Sequence, residues 1–289
     1  MNLRVALRLG RVSNLPTVWT NVLTGVVLAG VGFKVLDLLI LMLAGSLFYV
    51  GGMYLNDAFD AEIDQRERPE RPIPSGQVTA RTVFVLGFTM LLGGIGLLTL
   101  IGVVLQDGAG WPTIGAGLIL ALMVLLYDGY HKANPLSPVL MGLCRILLYV
   151  MAALALRPAF TLDLALGCAV LLSYLIALTQ VASQENLGRL SNAWPLVFLA
   201  APVIYGLTDS AQTPVLLALL ALTAWTTYAL SYLFVASRLN VPRAVGGLIA
   251  GISLVDALLI GMHGGGVPML LAFAGFGATL LFHRYVPGT

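Results

Sequence analysis

Long apolar runs, separated by short polar stretches, follow one another along almost the whole chain. Most are about 20 residues long, which is the length of helix that crosses the hydrocarbon core of a bilayer. One run, at 193–208, is short enough for a partly re-entrant stretch, so the pattern predicts nine or ten transmembrane helices. The ten segments, with edges good to about four residues, are 13–33, 36–56, 81–105, 112–128, 137–156, 161–182, 193–208, 214–236, 243–262 and 266–283.

Composition excludes a water-facing globule. Of the 289 residues, 59% are apolar and only 10% are charged, whereas about 25% of a soluble domain is charged. Helices are predicted throughout because lipid leaves an open segment no other way to satisfy its backbone. The sequence therefore predicts an all-α integral membrane protein, a multi-pass resident of the cell membrane, with one polytopic domain over 1–289. A net charge of +2 and the lack of a basic tail give no case for a nucleic-acid partner.

The positions of Lys and Arg predict the orientation. With the N-terminus in the cytoplasm, twelve of these residues fall on the cytoplasmic side, and only Lys34 and Arg157 fall on the other. Short cytoplasmic loops carry such an excess of positive charge, so a cytoplasmic N-terminus is predicted. The first apolar stretch is long and has no small-residue cleavage site, which favours a retained helix over a signal peptide.

The longest polar stretch, 56–80, holds six of the thirteen acidic residues and lies on the predicted cytoplasmic side. Within it, Asn56, Asp60 and Asp64 follow one another at intervals of four, so on a helix they share one face. A hard divalent cation such as Mg²⁺ would relieve the repulsion between these oxygens, and it completes its shell with water and phosphate. The alternative is a solvated helix end whose acids pair with nearby arginines, which suits Glu62 and Glu67 better than this stripe.

These residues resemble the first aspartate-rich motif of the UbiA-type prenyltransferases, Asn-x-x-x-Asp-x-x-x-Asp at 56–64. The sequence Arg-Pro-Ile-Pro-Ser-Gly at 71–76 is similar to the stretch that follows the motif in that family, and 14–21 resembles the family's first helix. Two further stretches, Glu-Arg-Pro-Glu-Arg-Pro at 67–72 and Met-Gly-Leu-Cys-Arg at 141–145, resemble the EboC-type subgroup. The resemblance extends from the first helix to about residue 185.

The resemblance implies a bundle of about nine helices around a central cavity open to lipid. It also implies transfer of an isoprenoid chain from a polyprenyl diphosphate to an acceptor, commonly an aromatic ring. By the same resemblance, Asp60 and Asp64 would hold Mg²⁺ and act in catalysis, and Asn56 would support the metal or the diphosphate. A metal that neutralises the leaving diphosphate, with aromatic faces near the allylic cation, fits that chemistry.

Several residues near the cytoplasmic helix ends are candidates for substrate contact. Lys132, which follows Tyr127, resembles the Tyr…Lys pair of the family, although a plain positive-inside lysine is an equal alternative. Arg71 and Arg11 are weaker candidates for contact with the diphosphate. The aromatic candidates for cation stabilisation are Tyr54, Phe59, Tyr127 and Tyr130, for each of which an interfacial aromatic belt is the preferred interpretation.

The second acidic motif of the family, Asp-x-x-x-Asp, is altered here. Glu185 takes the place of the first aspartate and Arg189 that of the second. A glutamate can still bind metal, whereas an arginine cannot and would instead contact phosphate. The departure favours an alternative of a different class, a non-catalytic UbiA-like protein that binds or moves a lipid or a metabolite precursor across the membrane. A small-molecule transporter would show inverted repeats and midplane breaks, and neither is clear.

Three ionisable residues, Asp128, Arg145 and Asp256, fall at or within predicted helices, where charge is costly and commonly functional. One hypothesis makes Asp128 a cavity residue that acts on the acceptor as a base or orienting group, and places Arg145 among the substrate contacts. The alternative, slightly preferred, is a structural ion pair between Asp128 and Arg145. The sequence suggests no partner for Asp256. The histidines at 131, 263 and 283 lie at segment ends and are interpreted as interfacial.

Overall fold

A computed structural model describes residues 1–105, 109–132, 134–185, 192–286 and 288, and within these ranges it contains helices and turns but no strand. The α-helices are α1 Leu3–Leu9, α2 Leu15–Leu28, α3 Val35–Phe59, α4 Ala61–Glu67, α5 Ala80–Thr99, α6 Trp111–Tyr130, α7 Ser137–Leu156, α8 Leu162–Ala182, α9 Ala200–Leu207, α10 Thr213–Phe234, α11 Val241–Gly261 and α12 Gly266–Phe282. A π-helical turn, Leu100–Val104, extends α5, and a 3-10 segment, Trp194–Leu199, precedes α9.

Every predicted apolar segment appears as a helical element, so the all-α membrane fold is confirmed. In the part of the chain that the structure describes, seven helices are long and apolar enough to cross a membrane. The predicted segment 193–208 is broken into a 3-10 part and the short α9. The predicted segment 13–33 is α-helical only over Leu15–Leu28, which a 3-10 turn at Val12–Asn14 precedes. The number of spans, nine or ten, and the cytoplasmic N-terminus stay predictions.

The acidic stretch begins as a helix and not as a loop. Helix α3 runs on to Phe59, and α4 begins at Ala61. Asp60 joins the two, and the backbone N–H of Asp64 donates to the carbonyl of Asp60 at 2.8 Å. Helical spacing therefore continues from Asn56 to Asp64, as the sequence pattern predicts.

Small residues bring the site-bearing helix close to its neighbour. A Cβ on Gly87 of α5 would lie 2.7 Å from Leu55 Cγ, and one on Gly51 would lie 3.0 Å from the Gly87 carbonyl. Such close approach between membrane helices requires residues without bulk. Helix α11, in contrast, is buried along nearly its whole length and forms the centre of the bundle.

Polar loops gather at the two ends of the bundle. At one end, the Arg157 guanidinium donates to the Ala29 carbonyl at 3.3 Å and His263 lies 3.6 Å from the Asp163 carboxylate. At the other end, Asn14 contacts His283 at 2.7 Å, and the acidic stretch lies beside it. The candidate site is at this second end.

Candidate functional site

Four carboxylates are buried together where α3, α4 and α6 meet. Their exposed fractions are 8% for Asp57, 5% for Asp60, 2% for Asp64 and 4% for Asp128. We call these four residues the acidic cluster. Buried carboxylates need partners, and the cluster obtains them from three other parts of the chain.

Arg71 partners two members of the acidic cluster. Its Nη1 lies 2.6 Å from Asp64 Oδ2 and 3.5 Å from Asp57 Oδ1. A tight turn places the guanidinium: the Ser75 backbone N–H and hydroxyl both reach the Arg71 carbonyl, at 3.0 and 2.7 Å, and Gly76 has a φ of +75°. The Pro-Ser-Gly stretch is thus the structural support of Arg71.

Arg11 approaches the cluster from the start of the chain. Its Nη2 lies 3.6 Å from Asp57 Oδ1. The residue has a φ of 41°, and it is the one non-glycine with positive φ in the described ranges; a long side chain rarely adopts that conformation. Burial works to lower the pKa of Arg11, but the negative charges of Asp57 and its neighbours outweigh it and raise the pKa. The sequence pointed only weakly to this residue.

Asp60 is held by the turn that follows α6. Lys132 Nζ lies 3.2 Å and His131 Nε2 3.4 Å from Asp60 Oδ2, and the His131 ring stacks on Tyr127 with centroids 4.9 Å apart. Burial acts to raise the pKa of Asp60, but the hydrogen bonds and charges of His131 and Lys132 together lower it. The interfacial interpretation of His131 was wrong: helix register brings it to the acidic cluster.

Asn56 joins the cluster to Asp128. Its Nδ2 donates to Asp128 Oδ1 at 3.3 Å, while Asp128 Oδ2 is buried and has no hydrogen-bond partner among the described residues. A buried carboxylate oxygen without a partner carries a desolvation cost of about 1–3 kcal/mol or more. Such an oxygen is available to a substrate proton or a cation.

Arg145 and Asp128 do not pair with each other in the structure, so the predicted ion pair is wrong. Arg145 Nη1 donates to Asn21 Oδ1 at 3.1 Å, and the guanidinium lies over the Tyr49 ring at 5.0 Å. Asp128 is occupied instead by Asn56. The two charges lie on adjacent helices, but their side chains point to different neighbours, which sequence spacing does not reveal.

Asp256 proves to have several partners, although the sequence suggested none. Thr20 donates to Asp256 Oδ2 at 2.5 Å, Asn21 Nδ2 donates to it at 2.9 Å, and the Tyr149 hydroxyl donates to Oδ1. We call these four residues, with Arg145, the buried network. Polar residues inside α2 and α7 were the available signal, because intramembrane polar side chains seek one another.

The remaining predicted residues lie apart from the acidic cluster. Glu185 is partly buried at the end of α8, and Arg189 lies outside the described residues. Tyr54 is buried with its hydroxyl on the Ala6 carbonyl at 3.2 Å, and Phe59 packs edge-on against Phe84 at 5.1 Å. Tyr130 is 68% exposed. Of the aromatic candidates, Tyr127 is the one that contacts a described residue bound to the cluster, since its ring stacks on that of His131.

The donor set fits Mg²⁺ in chemistry. The candidate ligands Asn56, Asp60 and Asp64 offer amide and carboxylate oxygens, which Mg²⁺ prefers, and all three residues are buried. Within the described ranges, no three His, Cys, Asp or Glu side chains converge closely enough to enclose a metal. Mg²⁺ commonly takes only one or two protein carboxylates and completes its shell with water and substrate oxygens.

Comparison with known proteins identifies the family. The model of the UbiA prenyltransferase family matches residues 17–186. The chain belongs to this family. The family match covers α2 to α8, which carry most of the acidic cluster and of the buried network, and it confirms the family resemblance found in the sequence.

Individual relatives match only part of the chain, and solved structures match most of it at low sequence identity. A digeranylgeranylglyceryl phosphate synthase of Methanopyrus kandleri is 30% identical over 134 residues, 46% of each chain. The chain thus spans less than half the length of the curated relatives it matches. A UbiA homolog from Aeropyrum pernix K1 superposes with a TM-score of 0.67 at 15% identity, over 86% of this chain and 96% of that one.

A UbiA homolog from Archaeoglobus fulgidus, solved with GPP and Mg²⁺, has a TM-score of 0.51 at 14% identity over 97% of both chains. These similarities show a common fold. The finer assignment to the EboC-type subgroup stays a prediction, because the relatives are named as digeranylgeranylglyceryl phosphate synthases.

Proposed function

We propose that the protein is a Mg²⁺-dependent membrane prenyltransferase that takes a polyprenyl diphosphate as donor. The observation that carries this proposal is the buried acidic cluster ringed by Arg11, Arg71, His131 and Lys132. Acids for a metal and cations for phosphate oxygens lie side by side, as diphosphate departure requires. The UbiA family and the A. fulgidus structure with GPP and Mg²⁺ support the same class of donor.

The residues that would hold the metal are Asn56, Asp60 and Asp64, with Glu185 as a candidate for a second ion. When bound, the metal neutralises charge on the leaving diphosphate. Arg71 and Lys132 are held 2.6 Å and 3.2 Å from the carboxylates that the metal would take. The same two cations would contact the diphosphate oxygens, for which charge-assisted hydrogen bonds are the strong contacts.

Asp128 is the proposed base. Its Oδ2 is buried and meets no hydrogen-bond partner in the described part of the chain, while Oδ1 is fixed by Asn56. As the acceptor oxygen forms a bond to C1 of the prenyl chain, the bond from C1 to the diphosphate breaks. The acceptor's proton passes to Asp128 Oδ2, and the diphosphate leaves with the electron pair of the broken bond. For an aromatic acceptor, Asp128 would take the ring proton instead.

The acceptor class that we propose differs from the aromatic one that the family resemblance implied. The matched relatives are named for a product in which glyceryl phosphate carries two geranylgeranyl groups. That name favours a hydroxyl-bearing glyceryl phosphate over the aromatic ring inferred from the wider family. Arg145 is the proposed contact for the acceptor's anionic group, because the described residues use only one of its five N–H donors.

A second candidate function is binding or carriage of a lipid or precursor without chemistry. The altered second motif, with Glu185 and Arg189 in place of two aspartates, favours it. The EboC-type resemblance at 67–72 and 141–145 remains part of the proposal, since these stretches supply Arg71 and Arg145. In either case we place the protein in the cell membrane, with the acidic cluster at the cytoplasmic face.

The first experiment titrates purified protein with geranylgeranyl diphosphate, with and without Mg²⁺. Asp60→Ala/Asp64→Ala should lose metal-dependent binding. The matched control is Glu62→Ala/Glu67→Ala, which removes two exposed acids from the same helix and should bind like the wild type. Equal binding by both double variants would contradict the proposed site.

Turnover separates the two candidate functions. Geranylgeranylglyceryl phosphate and 4-hydroxybenzoate would each be supplied as acceptor with the donor and Mg²⁺. Transfer to the former supports the glyceryl phosphate assignment, and transfer to the latter supports the aromatic one. Metal-dependent binding without transfer to either, over several donor lengths, would favour the binding-only protein.

A further inference from the structure

A separate polar cavity of about 470 Å³ opens between the end of α10 and the start of α11. The residues that matter in its lining are Tyr228, Tyr232, Ser237, Arg238, Asn240 and Arg243. We call this cavity the α10–α11 pocket. None of its lining residues belongs to the acidic cluster or to the buried network, so the proposed reaction leaves it without a role.

The α10–α11 pocket is positively charged and has no acid in its lining. Arg238 and Arg243 are both exposed, and among the described residues neither forms an ion pair with a carboxylate. Two guanidiniums that face one cavity without a counter-charge repel each other unless an anion enters between them. Each presents several N–H donors in a planar fork that matches phosphate oxygens.

Two tyrosines contribute to the pocket: one restrains an arginine, and both carry hydroxyl groups. The Arg243 guanidinium lies over the Tyr232 ring, 5.8 Å from its centroid, which restricts where the charge can point. The Tyr228 and Tyr232 hydroxyls are 2.8 Å apart. The hydrogen bond between the two hydroxyls uses one proton, so the hydroxyl that accepts it can still donate its own proton to another group.

The backbone around the pocket is already satisfied. Asn240 accepts from the Arg243 N–H at 3.0 Å through its side chain, and its own N–H donates to the Tyr232 carbonyl at 2.9 Å. The Arg238 N–H donates to the Val235 carbonyl at 2.8 Å. The loop is therefore fixed by its own hydrogen bonds, and the free donors of the pocket are side-chain groups.

We propose that the α10–α11 pocket binds the phosphate of an anionic lipid headgroup. It lies at the ends of two helices long enough to cross a membrane, where basic pockets meet headgroups. Next to it, Phe234 is 61% and Leu239 47% exposed, which gives the acyl chains of the same lipid an apolar surface. Free phosphate shares the headgroup chemistry but would gain nothing from these two side chains.

The test counts bound lipid by native mass spectrometry of the detergent-purified protein. Phosphatidylglycerol is compared with phosphatidylcholine of the same acyl chains, for the wild type and for Arg238→Gln/Arg243→Gln. We expect the double variant to bind phosphatidylglycerol at least tenfold more weakly. The matched control, Arg4→Gln/Arg81→Gln, removes the same charge from exposed positions outside the pocket and should bind like the wild type.

Three results would overturn the proposal: equal losses in the two double variants, equal binding of the two lipids by the wild type, or full displacement of phosphatidylglycerol by millimolar inorganic phosphate. The last would make free phosphate the occupant. Tyr228→Phe/Tyr232→Phe keeps both rings and should weaken binding less than the arginine variant. Because it leaves the arginines and the loop in place, it gives a second test if the arginine variant fails to fold.

Discussion

At the residue scale, the site is a set of four carboxylates, three of which are paired with basic residues of the protein. Asp64 is paired with Arg71, and Asp60 is paired with Lys132 and His131. Such pairing lowers the cost of burying acids at a membrane face. Local sequence spacing predicted that the acids share a helical face, but it could not predict their partners, because Asp60 and Lys132 meet only through the register between α3 and α6.

The lowered pKa of Asp60 has a consequence for stability. A carboxyl whose pKa falls below its ordinary value of 3.8 stabilises the fold above the pKa of the unfolded chain and loses this effect as pH falls through the folded value. We therefore expect the melting-temperature advantage of the wild type over Asp60→Asn to persist from pH 7 to about pH 4 and to shrink below it.

The melting temperatures are measured by thermal unfolding in detergent across that pH range. Glu62→Gln, at an exposed acid on the adjoining turn, is the control and should differ little from the wild type at any pH. If the melting-temperature difference between the wild type and Asp60→Asn grew as the solution became more acidic, the assigned ion pairs would be contradicted.

At the scale of elements, the buried network ties α2, α7 and α11 together. Asp256 on α11 accepts hydrogen bonds from Thr20 and Asn21 on α2 and from Tyr149 on α7. Because the residues are up to 236 positions apart in the chain, no local pattern predicts their contact. The apolar runs determine which segments of the chain form helices, and the polar side chains then fix the rotation of each helix about its own axis relative to its neighbours.

Removal of the Asp256 carboxylate should destabilise the bundle. Asp256→Leu leaves Thr20, Asn21 and Tyr149 without their acceptor and Arg145 without a nearby counter-charge. The expected loss is about 3–5 kcal/mol, as for breaking a buried charged pair. Asp256→Asn keeps the shape and should cost less, about 1–2 kcal/mol. Denaturant unfolding in mixed micelles measures both, and equal stability of all three proteins would contradict the network's structural role.

Glycine packing between α2 and α7 gives a second expectation. A Cβ on Gly25 would lie 2.5 Å from the Tyr149 carbonyl oxygen and 2.8 Å from its Cα, so Gly25→Ala must push two backbones apart. We expect a cost of about 1–3 kcal/mol. Gly96→Ala in α5 meets nothing within 4 Å and should be neutral or stabilising by up to about 1 kcal/mol. A loss of stability confined to Gly96→Ala would contradict the α2–α7 contact.

At the scale of the whole molecule, the two ends differ in chemistry. One carries the acidic cluster with its cations, and the other carries Arg157 and His263 with few acids. Composition and charge predicted a polytopic helical protein with one active face, since the apolar runs leave no other fold. They could not predict that 193–208 breaks into two short pieces, because an apolar run of that length has no periodicity signal for such a break.

The predicted orientation can be tested by cysteine labelling. In a background without Cys144 and Cys168, Ser75→Cys and Ser210→Cys place single thiols in loops at opposite ends of the bundle. A membrane-impermeant maleimide added to intact spheroplasts should label Ser210→Cys alone, because the positive-inside bias puts Ser75 in the cytoplasm. The reverse pattern would overturn the orientation, and permeabilised cells provide the control for reactivity.

The ion pairs of the resting site already join Asp60 and Asp64 to cations of the protein. On the proposed function, Mg²⁺ that arrived alone would have to displace Arg71 or Lys132 and leave a guanidinium or an ammonium without an anion. A diphosphate that arrived alone would have to compete with the acids for the same cations. Metal and donor that arrived together could exchange partners, with the carboxylates turned to the metal and the cations turned to the diphosphate. We therefore expect occupancy of the site to require isoprenoid donor and Mg²⁺ at once, a form of coincidence detection set by the ion pairs themselves.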